Sequence, residues 1–217
     1  MGEAIGVIAT IINAILFLSV SIYVLFTKGE KNLSHYFFSI MSFFLFLYSI
    51  VEALKFTEEY DTALLMARIA PSLLALSLYF FVLFTHYLRR GWNVKEAILL
   101  FLPMILAFSI SYTNMIDGLR SSSYGWVSMF NMPALAIYYL IMGSYIVLGI
   151  ANLFILHRYV DGKFKRKILY LIIGSFVVLF LSMLYVLQVI ENEYLLPFLN
   201  ISILILGLIY FYTLISP

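Results

Sequence analysis

The chain has 217 residues, of which 64% are hydrophobic, 18% are aromatic and only 11% are charged. Soluble globular chains contain about 25% charged residues, so this composition excludes an ordinary soluble domain, and a disordered chain would need the opposite composition. The net charge of +2 gives no electrostatic support for a nucleic-acid partner, and the absence of cysteine excludes disulfides and thiolate metal sites. With a mean hydropathy of +1.04, an integral membrane protein is the class that fits.

Seven apolar stretches are long enough to cross a bilayer, which takes roughly 20 apolar residues in a helix. They are predicted at residues 4–26, 36–54, 62–88, 94–112, 131–156, 168–189 and 195–216. Their residues do not alternate between apolar and polar as the strands of a membrane barrel do, and short links make consecutive helices antiparallel neighbours. The sequence therefore predicts an all-α integral membrane protein, a single antiparallel seven-transmembrane-helix bundle over residues 1–217.

Basic residues are concentrated in the links that follow the first, third and fifth spans. Ten of the 13 Lys and Arg residues lie there, whereas the opposite links contain only Lys55 and Arg120 and eight of the 11 acidic residues. Because positively charged links stay in the cytoplasm, we expect a multi-pass cell membrane protein with its N-terminus outside and its C-terminus cytoplasmic. The longest outer link, residues 113–130, is a candidate for a short lid over the outer mouth of the bundle.

Arg68 is the charged residue that stands clear of both membrane faces, about two turns from the outer end of the third span. An arginine at the centre of a membrane helix costs about 2.5–3.5 kcal/mol on insertion scales, so it normally faces the bundle interior and has a partner. Pro71 leaves the carbonyl of Ala67 without its helical donor, which predicts a kink beside Arg68. The alternatives are that Arg68 extends to the headgroups or forms a structural pair with Glu52.

Further polar side chains fall at the same depth as Arg68 and outline a cup at the outer end of the predicted bundle. The candidate ligand-binding residues are Arg68, Glu52, Asn131, Tyr138, Tyr185, Gln188 and Asn200. A small polar or amphipathic ligand with a carboxylate or phosphate would suit Arg68, which can bind either group in a bidentate fashion. The same residues would also serve as an interhelical hydrogen-bond network, and the tyrosines as an interfacial belt.

The inner half of the predicted bundle is apolar, as in residues 76–83 and 176–184. Transporters and channels usually need a polar path or broken helices at the bilayer midplane. The pattern therefore favours a sensor that detects a ligand and signals to a cytoplasmic partner. The alternatives are a small-solute transporter or substrate-capturing transporter subunit, and a purely structural membrane partner.

Catalytic and metal-binding motifs are missing from the sequence, so we expect no enzyme activity, no cofactor and no metal. His35, His86 and His157 lie at cytoplasmic helix ends, where interfacial packing is favoured over a shared metal. The most basic segment, residues 157–167, is expected either to anchor the bundle on anionic lipid or to dock an acidic cytoplasmic partner. Its basic residues are Arg158, Lys163, Lys165, Arg166 and Lys167.

An ordered series of short segments runs along nearly the whole chain. The series contains Ala67-Arg68-Ile69-Ala70, Thr85-His86-Tyr87-Leu88-Arg89-Arg90, Thr113-Asn114, Tyr124-Gly125-Trp126-Val127, the basic link after the fifth span and Leu196-Pro197. In this the chain resembles the N-terminal seven-helix sensor region of membrane histidine kinases. The resemblance implies detection of an extracytoplasmic or membrane signal, a possible homodimer, and functional roles for Arg68, Asn114, Tyr124 and Gly125.

The chain departs from that family at its end, Ile215-Ser216-Pro217, where no phosphoacceptor histidine helix or ATP-binding motif follows. In the family, the seventh helix leads into the cytoplasmic dimerisation and kinase domains. We therefore expect either a sensor domain without its kinase or a free-standing relative that signals through another protein.

Overall fold

A computed structural model of the protein describes residues 2–26, 31–55, 59–122 and 125–186. The elements are α1 (Gly2–Phe26), α2 (Leu33–Leu54), α3 (Tyr60–Arg90), α4 (Val94–Thr113), β1 (Ile116–Ser122), β2 (Gly125–Phe130), α5 (Met132–Tyr159) and α6 (Gly162–Val186). Each of the first six predicted spans overlaps one of these helices. The seventh predicted span, residues 195–216, lies outside the described residues.

The surface of the helices is apolar. Four of the described helices, α2, α3, α4 and α5, are long and apolar enough to cross a membrane, and α1 contains a shorter apolar helix, Thr10–Phe26. On α4, Leu99, Leu102 and Leu106 are 66%, 58% and 51% exposed. A contiguous apolar surface of this kind is unfavourable in water and suits hydrocarbon. The protein is accordingly a multi-pass protein of the cell membrane.

The longest helix, α3, lies at the centre of the packing and contacts α2, α4, α5 and both strands. In its first half, up to Ser77, the buried residues of α3 are small. Ala63, Ala67, Ala70 and Ala75 are all between 0% and 3% exposed. Small side chains let helix backbones approach closely in a membrane, where packing rather than water exclusion holds helices together.

Two serines join α1 to α2. The hydroxyls of Ser21 and Ser39 lie 2.9 Å apart, and each also donates to the backbone carbonyl of the other at 3.0 Å. Both side chains are buried. Hydrogen bonds between small polar residues are a common means of helix association in bilayers.

The two ends of the bundle differ in structure and charge. At one end, which we call the hairpin end, β1 and β2 form an antiparallel hairpin between α4 and α5. At the other end, which we call the basic end, α3 and α5 finish and α4 and α6 begin. The basic end exposes Arg90, Lys95, Arg158, Lys163 and Arg166.

The hairpin is a correction to the all-α prediction, which treated residues 113–130 as a link. A two-stranded hairpin is marginal by itself and depends on packing against other elements. The strand sequences contain Gly118, Ser121, Ser122 and Gly125 and show no clear alternation. The strands therefore form where α3 supports them, which local sequence does not reveal.

Gly149 on α5 provides a direct test of the α3–α5 packing. A Cβ atom at this position would lie 2.2 Å from the ring of Phe81. We expect Gly149→Ala to destabilise the protein by about 1–3 kcal/mol through overpacking, measured as a lower melting temperature in nanodiscs. Gly143→Ala on the same helix is the matched control, since nothing lies within 4 Å of its Cβ. Equal melting temperatures for the two variants would contradict this packing.

Candidate functional site

Arg68 lies on α3 beneath the hairpin. Its Nη2 donates a hydrogen bond to the carbonyl of Ile116 at the start of β1, over 3.3 Å. Its Nε is buried and has no hydrogen-bond partner within the part of the chain that the structure describes. Leaving a buried donor unpaired costs about 1–3 kcal/mol, and more for a charged group. The Nε–H group of this permanently charged guanidinium is thus available to an acceptor.

The hairpin is irregular at the point where it meets Arg68. Ile116 pairs with Phe130, but Gly118 pairs with Met129, so Asp117 is an extra residue on β1. Bulges of this kind change the direction in which a strand presents its groups. Ile116 is 3% exposed, whereas Asp117 is exposed to solvent. The strand therefore offers Arg68 a neutral carbonyl and leaves its own carboxylate outside.

Tyr60, in the first turn of α3, attaches the hairpin to the bundle. The backbone N–H of Leu119 lies 3.4 Å from its hydroxyl, and its ring contacts Trp126 edge-on with centroids 5.4 Å apart. A Cβ at Gly118 would lie 3.2 Å from the same hydroxyl. The same Cβ would lie 2.9 Å from the end of the Met129 side chain, so a larger residue here would require these side chains to shift.

Just beyond Arg68 toward the basic end, α3 contains Pro71 and Ser72, which we call the proline segment. This segment is bonded to two neighbouring helices. Tyr138 on α5 is buried and donates from its hydroxyl to the carbonyl of Pro71 at 2.7 Å. The hydroxyls of Ser72 and Ser111 on α4 lie 2.7 Å apart, and both side chains are buried. The helix continues through Pro71. Arg68 therefore sits immediately before a segment whose position α4 and α5 both fix.

Glu52 forms an ion pair with Lys55, whose Nζ lies 2.7 Å from its carboxylate. The two residues are three apart on the same helix end, and Lys55 is 9% exposed. Glu52 is thus engaged by its own helix, and the described contacts contain no pair between Glu52 and Arg68.

Asn131, which the sequence placed in the cup, is the N-cap of α5. Its side-chain oxygen accepts from the backbone N–H of Ala134 at 3.2 Å, and its own N–H donates to the carbonyl of Met115 at 3.0 Å. Asparagine is among the preferred N-cap residues, since its oxygen pairs with a free backbone N–H of the first turn. These contacts give Asn131 a structural role that needs no ligand.

The other predicted positions are distributed as follows. Asn114 is the exposed C-cap residue of α4. Gly125 begins β2, and Tyr185 lies in the last turn of α6. Tyr124, Gln188 and Asn200 lie outside the described residues. The structure therefore brings Arg68 and Tyr138 close to Pro71 on α3, and the described contacts contain no bond between the guanidinium and Glu52 or Asn131.

A second polar cluster, missed by the sequence analysis, lies toward the basic end. Arg89 on α3 donates to the side-chain oxygen of Asn152 on α5 at 2.7 Å, and the amide of Asn152 lies 3.5 Å from the hydroxyl of Thr85. Asn152 and Thr85 are both 0% exposed. An asparagine inside an apolar span was the available signal, because such a residue needs a partner in hydrocarbon.

His86 and His35 have partners of their own. The ring of His86 on α3 contacts the carboxylate of Glu96 on α4. His35 reaches back to Asn32, 2.8 Å away, and completes a capping box at the start of α2. Within residues 2–26, 31–55, 59–122 and 125–186, no group of three or more His, Cys, Asp or Glu residues is placed to hold a metal.

Substitution of Asn131 tests whether its side chain caps α5 or contacts a ligand. Asn131→Ala is expected to lower the free energy of unfolding by about 0.5–2 kcal/mol, because the first turn of α5 loses its acceptor. Asn131→Ser retains an acceptor and should keep most of that stability, as measured by thermal unfolding in nanodiscs. An unchanged melting temperature in Asn131→Ala would contradict the capping role.

Comparison with known proteins gives one family. No curated protein matches the chain. The family described as the N-terminal 7TM region of histidine kinase matches residues 9–216. The match confirms the resemblance seen in the sequence, and it concerns the sensor region of these proteins and not their kinase domain. The chain belongs to the family of N-terminal 7TM regions of histidine kinases, membrane sensor regions of signal transduction.

Proposed function

We propose that the protein is a seven-helix sensor module that detects a small extracytoplasmic or membrane-derived ligand at the hairpin end and signals to a cytoplasmic partner. The family match supports the sensing role. The observation that carries the ligand site is the buried, unpaired Nε of Arg68 beneath the hairpin. A charged residue inside a membrane bundle is by default a candidate functional site.

The orientation follows from charge. The basic end carries the links rich in Lys and Arg, which remain cytoplasmic during insertion. The hairpin end then faces outward, and Arg68 lies in the outer part of the bundle. By analogy with the family, the module acts as a homodimer and its basic end contacts the signalling partner or anionic lipid.

Signalling would pass along α3, which runs from the hairpin end to the basic end. At one end it carries Arg68, and at the other it carries Arg89, which is bonded to Asn152 of α5. A ligand shifts such a bundle only if it binds one arrangement of the helices more tightly than another. The bonds to Tyr138 and Ser111 beside the proline segment are the contacts that would differ between the two arrangements.

The part of the bundle between Arg68 and the cluster of Arg89, Asn152 and Thr85 does not favour a transporter. Ser77 donates to the carbonyl of Met41 at 3.4 Å and Tyr79 to that of Ala97 at 3.2 Å. Their neighbours on α3 include Phe81 and Val82, which are 5% and 0% exposed. A translocation route needs polar groups that are free to bind solute, and these are engaged within the protein.

Ligand-dependent thermal stabilisation tests the sensor site. Purified protein in nanodiscs is screened against small carboxylates, phosphates, amines and neutral polar compounds. At least one compound should raise the melting temperature of the wild type and not that of Arg68→Leu. The unliganded variant should be at least as stable as the wild type, because it lacks a buried, incompletely paired charge.

Arg120→Leu is the matched control, since Arg120 is an exposed arginine on β1. It should respond to the compound as the wild type does. If no compound stabilises the wild type, or if Arg68→Leu responds equally, Arg68 is not the ligand site and the proposed function fails.

The orientation in the membrane can be tested with introduced cysteines, because the chain has no native cysteine that would react with the label. Ser121→Cys in β1 and Lys163→Cys in α6 place single thiols at exposed positions of opposite ends. A membrane-impermeant maleimide applied to intact cells should label Ser121→Cys, and label Lys163→Cys only after the membrane is permeabilised. The reverse order of labelling would overturn the orientation.

A further inference from the structure

We infer that the ligand of Arg68 is a small anion with carboxylate or phosphate oxygens, and that it displaces the carbonyl of Ile116 from Nη2 and so loosens the hairpin from α3. The inference rests on the sensor function proposed above. It adds the chemical class of the ligand and the element that responds to it.

The donor arrangement indicates the class of ligand. In a guanidinium, Nε–H and one N–H of Nη2 point in the same direction, so this edge binds two oxygens of one carboxylate or phosphate in parallel. In the protein, Nε is buried without a partner and Nη2 has only the carbonyl of Ile116. The carbonyl of Ile116 therefore leaves the Nε–H of that edge without an acceptor. Two linked oxygens would satisfy the whole edge.

The charge balance favours an anion from outside the described bundle. Arginine stays protonated in proteins, so its charge persists whether or not it is paired. Among the described carboxylates near this end, Glu52 is paired with Lys55, Glu59 accepts from Thr62, and Glu59, Asp61 and Asp117 are all exposed. None of them forms an ion pair with Arg68 in the described contacts. The guanidinium is therefore neutralised by no carboxylate that the structure describes.

The carbonyl of Ile116 is a weak competitor for such an anion. Its distance from Nη2 is 3.3 Å, longer than the usual N–H···O separation of about 2.9–3.0 Å. Hydrogen bonds to a charged acceptor are roughly twice as strong as those between neutral groups. An oxyanion on the Nε edge would thus draw the guanidinium away from β1.

The attachment of the hairpin to α3 would change when an anion displaces the carbonyl of Ile116 from Arg68. Besides the contact of Ile116, the hairpin is held on α3 by the 3.4 Å bond of Leu119 to Tyr60 and by the ring contact of Trp126 with Tyr60. Its base stays fixed through the bond from Asn131 N–H to the carbonyl of Met115. The buried side chains of Ile116 and Leu119 also pack in the core. Loss of the bond between Arg68 and the carbonyl of Ile116 would weaken this attachment and let the strands pivot about their base.

Trp126 makes the movement measurable. The chain has two tryptophans, so Trp92→Phe leaves Trp126 as the single tryptophan, whose emission is excited selectively over that of tyrosine. The full chain with this substitution is placed in nanodiscs of zwitterionic lipid, and its quenching by acrylamide is followed during titration. The probes are acetate, inorganic phosphate and acetamide at constant ionic strength, acetamide being the neutral match of acetate.

Acetate, phosphate or both should increase the quenching of Trp126 saturably, and acetamide should not. Arg68→Lys keeps the charge but loses the paired donors, so its half-saturating anion concentration should rise about tenfold or more. Asp117→Asn should respond as the parent does. Tyr60→Phe retains the ring but removes the hydroxyl that holds β1, and it should lower the half-saturating concentration.

Three results would overturn the inference. They are an equal response to acetamide, an unchanged response in Arg68→Lys, and anion binding that leaves Trp126 unaffected. A neutral compound that stabilises the wild type only through Arg68 would also overturn it, but would leave the proposed sensor function standing. Loss of the response in Asp117→Asn would show that the hairpin responds through the Asp117 carboxylate and not through the Ile116 carbonyl, and it would also overturn the inference. A response to acetate without phosphate, or the reverse, identifies which oxyanion shape the site takes.

Discussion

A polar group inside a bilayer must find its partner within the protein, because hydrocarbon supplies none. Along α3 this constraint decides most of the architecture. Its buried hydroxyls pair with neighbouring helices, as Ser72 does with Ser111 of α4, and its arginine near the basic end pairs with Asn152 of α5. Arg68 differs from these residues, since one donor of its charged group is buried and has no hydrogen-bond partner in the described part of the chain. In a bundle where the buried hydroxyls of α3 are paired in this way, an incompletely satisfied guanidinium is a candidate site for an external acceptor.

The position of Arg68 also explains how binding could reach the other face of the membrane. It lies between the hairpin, which it contacts through Ile116, and the proline segment, which α5 contacts through Tyr138. Missing backbone bonds at proline are tolerated in membrane helices when neighbouring helices and side chains satisfy the freed groups. Tyr138 and Ser111 hold Pro71 and Ser72 from outside, one turn beyond Ala67, whose carbonyl lacks its helical donor. A change at Arg68 acts on this segment before it acts on the rest of α3.

The helices, and the position of Arg68 within a membrane helix, could be predicted because each gives a strong local signal. Twenty apolar residues in a row have few other structures available, and a charge in such a run is costly enough to be conspicuous. The pair of Glu52 with Lys55 and the cap at Asn131 were also within reach, since i, i+3 spacing and a proline in the first turn are local patterns. The cup prediction passed over them because it grouped residues by depth alone.

The hairpin and the cluster around Asn152 depend instead on contacts between distant parts of the chain. The strands gain their support from Tyr60, about sixty positions away from Leu119. The partner of Asn152 is 63 residues earlier, on another helix. Packing of that kind is decided by the three-dimensional arrangement of the helices, which neither composition nor periodicity specifies.

The most direct test of the central claim is the state of the Nε–H group of Arg68 itself. Protein labelled with 15N-arginine in nanodiscs gives one Nε–H resonance per arginine, and that of Arg68 is identified by its absence in Arg68→Lys. The account predicts a resonance that moves downfield on addition of acetate or phosphate and stays in place with acetamide. A resonance that already has the downfield position of an ion pair, and does not respond to either anion, would show that the protein satisfies this guanidinium internally and would contradict the account.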